Sequence, residues 1–266
     1  VDASGSMSAS GSAPGMPCLT ALDIAVLITL TFYRATANFI IANNRSMPNH
    51  LIGYFEGRDL RFNTSQTINN IPTDRDIETR AAPFKEITNK INSRSTFQEV
   101  KRALGNGQHM GMTDVGSAFW CLIFKLKKSI EKVISKDPMY NDLTVFQLPG
   151  FAELMVLVTD NDVNSGDQPM DVLKIYWGLV NQAFHLIPLD KDGTKHDPDQ
   201  LFEKYSPRLV VIATQGTSVT IGDPRDSRVL NISGFDSSAP LLIDAFINGV
   251  NDNVNVGTNI PDEDDE

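Results

Sequence analysis

The sequence predicts an α/β fold: a doubly wound, mostly parallel six-stranded sheet with helices on both faces. Three observations predict it. Short apolar runs rich in β-branched residues alternate with longer stretches of helical periodicity. Two of the runs, Leu154-Met-Val-Leu-Val158 and Leu209-Val-Val-Ile-Ala213, are apolar throughout, as strands covered on both sides must be. The chain has 266 residues, 41% of them hydrophobic and 21% charged, enough to build the core of one large domain.

Each element follows from its own pattern. Leu51-Ile-Gly-Tyr-Phe55 reads as a strand, and the two runs above as central strands. Val219-Thr-Ile221 and Val229-Leu-Asn-Ile232 are shorter and belong towards a sheet edge. Residues 18–43 place Leu22, Val26, Leu27, Leu30 and Tyr33 at helical spacing with further apolar residues all round, so this helix should be deeply buried. Residues 117–135 open apolar and end on a lysine-rich face; Lys127, Lys128 and Lys132 near a helix C-terminus are explained by the macrodipole. Residues 170–184 and 239–248 supply two more helices. Residues 84–91 and 96–104 read as short ones, the second capped by a Ser95/Gln98 pair. Trp120 and Trp177 fall in helical patterns and belong to the core.

Residues 1–250 form the predicted domain, with polar insertions near 58–82 and 190–207. Residues 251–266 are read as a disordered acidic tail. The net charge of −10 argues against a wide phosphate-binding surface, although five of the acids lie in the last five residues. Cys18 and Cys121 cannot build a disulfide framework and read as buried thiols of a reducing compartment. The apolar run near residues 24–32 is interrupted by Thr29 and Thr31 and is too short to span a bilayer. No phosphate-binding Gly-x-x-x-x-Gly-Lys motif is present. The histidines at 50, 109, 185 and 196 show no zinc spacing, and no nucleophile stands out.

The chemistry gathers in three segments. The chain opens Val1-Asp-Ala-Ser-Gly-Ser-Met7, which puts the oxygens of Asp2, Ser4 and Ser6 on alternate residues of a loop that Gly5 allows to bend. All three are hard ligands, and a site built mainly from hydroxyls leaves a divalent cation such as Mg²⁺ room for an outside ligand. Gly111-Met-Thr-Asp-Val-Gly116 brings Thr113 and Asp114 to a helix start, where either could simply be an N-cap. Val158-Thr-Asp-Asn-Asp162 puts Asp160 at the carboxyl end of the most buried strand, where open parallel sheets bind ligands and where an Asx turn is also common.

Together these segments resemble the metal-ion-dependent adhesion site of von Willebrand factor A domains: an Asp-x-Ser-x-Ser loop, a Thr from a second loop and an Asp from a third. The resemblance implies a cation, most simply Mg²⁺, held by Asp2, Ser4, Ser6, Thr113 and Asp160, with Asp114 and Asp162 behind them. A narrower resemblance lies in Ile221-Gly-Asp-Pro-Arg-Asp-Ser-Arg-Val-Leu-Asn-Ile-Ser-Gly-Phe-Asp236, which is similar to the closing segment of the A domain in the Ro autoantigen (TROVE-module) family. It extends over residues 154–162 and 209–247 and the first loop and helix, and is poor across 58–82 and 190–207.

The family resemblance implies a binding module, not an enzyme, whose cation accepts an Asp or Glu from a protein partner. It also implies small non-coding RNA held by a ring of helical repeats outside this chain, no membrane, and a cytoplasmic location extending to the nucleus. A metal-dependent hydrolase using the same cation, or a structural A domain of an unrelated scaffold, are the alternatives. A central strand is expected to run into Asp2, which places the first strand upstream of Val1.

Overall fold

In the computed structural model, the residues described are 1–8, 19–43, 50–55, 72–105, 112–160, 166–187, 197–214, 221–222 and 226–233. In chain order their elements are α1 (Ala21–Ala42), β1 (Gly53–Phe55), α2 (Asp74–Ala81), β2 (Phe84–Glu86), α3 (Phe97–Ala103), α4 (Gly116–Ile134), β3 (Leu154–Thr159), α5 (Pro169–Leu186), α6 (Pro198–Tyr205), β4 (Arg208–Ala213) and β5 (Val229–Ser233).

Strands β3, β4 and β5 form a parallel sheet in that order, with Val156 opposite Val210 and Leu209 opposite Val229. Alternate side chains leave the two faces of this sheet. Leu157, Leu209, Val211 and Ala213 join a core with Trp120, Ile123, Tyr176 and Val180 of α4 and α5. Val158, Val210, Ile212 and Ile232 join a second core with Leu22, Ile24, Val26 and Ile28 of α1 and Val100 of α3. The continuous apolar runs are therefore used on both faces, and helices cover both.

The six-stranded sheet is not what forms among the described residues. Three strands are parallel, and β1 and β2 make a separate antiparallel pair, Gly53 opposite Glu86 and Phe55 opposite Phe84. Residues 1–3 connect the two: Phe55 N–H donates to Val1 O (3.1 Å), Ala3 N–H to Phe55 O (3.1 Å) and Asp2 N–H to Val158 O (2.8 Å). Ile221 is not in a strand; its backbone N–H and C=O instead pair with the Asn231 side-chain amide, each at 3.2 Å.

Four local expectations change. Residues 84–91 are not a helix, because 84–86 pair with β1 and only Thr88–Lys90 makes a 3-10 turn. A tertiary strand partner outweighs local propensity here. The cap of α3 is one residue later than predicted: Thr96 Oγ1 accepts from Glu99 N–H, and Glu99 Oε2 accepts from Thr96 N–H at 2.7 Å. Ser95 instead accepts from Asn92 N–H. Inside the two segments read as insertions lie α2, capped by Thr73 and anchored by buried Ile77, and α6, anchored by Tyr205. Cys121 is half-buried, and burial raises its thiol pKa. The expected helix at 239–248, the acidic tail, Cys18 and Asp162 lie outside the described residues.

Helix α1 spans 22 residues, so by length and composition it is the one described helix that could cross a membrane. The apolar run alone understated its length. Its Leu22, Ile24, Val26 and Ile28 are nonetheless buried against the sheet. Its first turn is also tied down: Lys101 Nζ donates to Asp23 Oδ1 at 2.6 Å, and Thr20 N–H and Oγ1 donate to Asp23 Oδ2. Burial pushes the Asp23 carboxyl up, but Lys101 and Thr20 together hold it below the usual carboxylate range. A depressed folded pKa means that this stabilisation is present above the unfolded carboxylate pKa and disappears as pH falls through the folded value. Asp23→Asn should cost about 1–2 kcal/mol at pH 7, measured by urea unfolding, and little in strong acid.

Candidate metal centre

The carboxyl end of the parallel sheet is where the three motif segments meet. Residues 1–3 lie between Phe55 and Val158, so Asp2 is wholly buried at the strand end. The chain then turns through a 3-10 turn, Gly5–Ser8, whose Met7 is buried under α1. Ser4 N–H donates to Asp2 Oδ1 at 2.8 Å, and Thr159 Oγ1 donates to Asp2 Oδ2 at 2.7 Å. Ser4 Oγ and Ser6 Oγ are 2.9 Å apart, and Thr113 Oγ1 donates to Ser4 Oγ at 3.0 Å across 109 residues of sequence. Asp160 is buried directly after β3.

Electrostatics link the two acids. Burial raises the Asp2 pKa, and the charge of Asp160 raises it further, against the Ser4 N–H and Thr159 hydroxyl bonds that favour the carboxylate. Two neighbouring buried carboxylates are costly unless a cation balances them. All the donors brought together are hard oxygens. That suits Mg²⁺ or Mn²⁺ and leaves no role for a soft metal. Among the described residues no group of three or more His, Cys, Asp or Glu side chains could hold a metal, so a cation here rests on two carboxylates and on hydroxyls.

The structure thus brings Asp2, Ser4, Ser6 and Thr113 into one hydrogen-bonded group with Asp160 beside it. Asp114 has other contacts. Its Oδ1 accepts from Ser117 N–H at 3.1 Å, and the charges it feels are those of Asp167 and Arg80. Burial, followed by the Asp167 charge, drives its pKa up to about 7 against the Ser117 bond and the Arg80 charge.

Four participants escaped the sequence reading. Thr159 was visible as the residue before Asp160, and strand alternation would have pointed its hydroxyl towards Asp2. Thr214 closes the end of β4, its N–H donating to Thr159 O at 2.9 Å. Arg80 and Asp167 form an ion pair that no spacing in the sequence announces. The lysine-rich face of α4 is matched by acids: Lys127 and Lys128 pair with Asp74 and Glu131, Lys125 with Glu86 and Lys132 with Asp137. Those lysines are neutralised locally, in keeping with the acidic net charge.

Part of the chain is similar to known proteins. Residues 202–247 match the family model described as the Ro60 vWA domain. The curated RNA-binding protein RO60 of Caenorhabditis elegans is 28% identical over 98 residues, 36% of this chain and 12% of that protein. Over residues 202–247 the chain is thus similar to a von Willebrand A domain of the Ro type. The parallel strands β3–β5, covered by helices on both faces, form an α/β core. The crystal structure of the Deinococcus radiodurans RO (RSR) protein is 20% identical with a TM-score of 0.46, covering 93% of this chain and 33% of that one. The chain therefore spans only about a third of the length of that solved protein.

Proposed function

We propose that this chain is a Ro-type A domain serving as a metal-dependent binding module whose cation, most simply Mg²⁺, takes a carboxylate from a protein partner. The observation that carries the reading is the Thr113–Ser4 hydrogen bond. It closes the hydroxyl set beside the buried acids Asp2 and Asp160, although the three segments are far apart in sequence. Asp2, Ser4, Ser6, Thr113 and Asp160 would hold the ion. When bound, the ion supplies a Lewis-acidic point of attachment for an incoming Asp or Glu. Only two of the five residues carry charge, so the ion keeps an electrophilic character and a third carboxylate is attracted to it in a partly desolvated cleft.

The chain's own groups orient the donors. Ser4 N–H and Thr159 Oγ1 each hold one oxygen of Asp2, and Thr113 holds Ser4. Nothing in the group is set up to activate water, so the site is read as a binding site and not as a catalytic centre. By kinship with a protein named as RNA-binding, the chain is further proposed to serve in an RNA-binding Ro protein of the cytoplasm or nucleus, with RNA held outside this chain.

Titrating the full chain with Mn²⁺, followed by electron paramagnetic resonance, tests the site. Thr113→Ala should weaken binding about ten- to a hundredfold with little change in melting temperature. Equal affinity in the variant and the unaltered chain would falsify the assignment.

A further inference from the structure

We infer that Arg80 is a positioning residue for the cation site, holding the Thr113 turn in place through the Asp167 and Asp114 carboxylates. The inference rests on the cation reading above. Arg80 lies in the last turn of α2 and forms an ion pair with Asp167. Its guanidinium also lies 5.5 Å from the centre of the Trp120 ring. Trp120 Nε1 donates to the same Asp167 oxygen at 2.9 Å. Asp114 is buried against Gly166, the residue before Asp167.

The fit around Asp114 is close. Gly166 has φ +77, and a Cβ on it would lie 2.1 Å from Asp114 Oδ1, so the carboxylate occupies the space that a side chain would fill. On the other side Ser117 N–H holds the same oxygen, and Ser117 Oγ donates to Asp114 O at 2.7 Å. Gly166, next to Asp167 in the chain, is thus packed directly against the Asp114 carboxylate.

The consequence for the site is mechanical. Asp167 is a buried carboxylate, and Arg80 supplies the positive charge that pairs it. Asp114 is bonded directly to Thr113, whose hydroxyl must reach Ser4. An unpaired Asp167 shifts the adjoining Gly166 backbone against Asp114, which moves the Thr113 backbone and draws that hydroxyl away. Helix α2, which lies in a segment read from sequence as an insertion, thereby becomes part of the site's support.

The test is Mn²⁺ affinity of the full chain, measured well below its melting temperature. Arg80→Met should weaken binding about tenfold, the scale of a lost supporting contact behind a ligand. Arg80→Lys, which keeps the charge, should stay within about threefold. Arg80→Met combined with Asp167→Asn removes both charges while leaving an oxygen for Trp120 Nε1, and should recover to within about threefold. Asp23→Asn, destabilised elsewhere in the fold, should leave the affinity unchanged, which separates positioning from general loss of stability. If Arg80→Met folds poorly, Arg80→Gln keeps a donor without the charge and should lose as much affinity as was expected of it. Unchanged affinity in whichever of these neutral variants folds overturns the inference, as does failure of the double variant to recover. Absence of Mn²⁺ binding by the unaltered chain overturns the cation reading itself, which is a different result.

Discussion

Asp2→Ala should abolish detectable Mn²⁺ and Mg²⁺ binding while leaving the circular dichroism spectrum unchanged. Asp2 supplies one of the two carboxylates in the proposed donor set, and a single carboxylate with hydroxyls does not hold a hydrated dication against water. The fold survives because two effects of the substitution oppose each other. The Thr159 hydroxyl and Ser4 N–H lose their acceptor, which costs about 1–3 kcal/mol for buried donors. Against this, a wholly buried carboxylate beside Asp160 is removed, and its desolvation and repulsion vanish with it. The melting temperature without metal should therefore shift by only a few degrees, roughly 2–4 °C for each kcal/mol of imbalance. Any partner that binds through a carboxylate should be lost in this variant and from the unaltered chain in EDTA, and should return to the latter with Mg²⁺. Partner binding that survives both treatments would refute the adhesion mechanism.

Gly150→Ala should be the most damaging single methyl in the described core. Gly150 has φ +90, a left-handed conformation that costs an L-residue about 1–2 kcal/mol. A Cβ there would lie 2.3 Å from Leu126 N and 2.8 Å from Leu122 O, both backbone atoms of α4 that cannot rotate away. The turn is also locked from α5: Tyr176 Oη donates to Gly150 O at 2.8 Å and accepts from Ala152 N–H at 2.7 Å. Strain and overpacking together should cost at least about 3 kcal/mol, seen as a fall in the urea midpoint. Gly178 provides the contrast. It lies in α5 with open space around it, and Gly178→Ala should stabilise by about 0.5–1 kcal/mol. The same substitution thus has opposite signs at two glycines, decided by φ and by what stands within reach of Cβ.

The motif residues were legible because their chemistry is written locally. Asp2, Ser4 and Ser6 share one short loop, and Asp160 directly follows an apolar run that had to be a buried strand. Thr113 was legible only through resemblance, since by itself it is an ordinary residue ahead of a helix. Asp114, placed behind the cation from sequence, has its contacts with Ser117, Asp167 and Arg80, partners that the resemblance did not name. No spacing could reveal this, because Arg80 and Asp167 are 87 residues apart.

By itself the sequence determined the periodicities: α1, α4 and α5 as long helices, and β3 and β4 as strands buried on both faces. It also determined the oxygen chemistry of the candidate centre and the likeness of residues 202–247 to the Ro60 vWA domain. Those properties reside in a few consecutive residues, where side-chain spacing reports burial directly. The tertiary structure decided that residues 84–86 pair with β1 instead of coiling. It also put a cap one residue along, turned parts of two supposed insertions into packed helices, and set Thr159 and Arg80 around the site. Each of these depends on a partner distant in the chain, and the energy of a strand pair, an ion pair or a packed helix face exists only once that partner arrives.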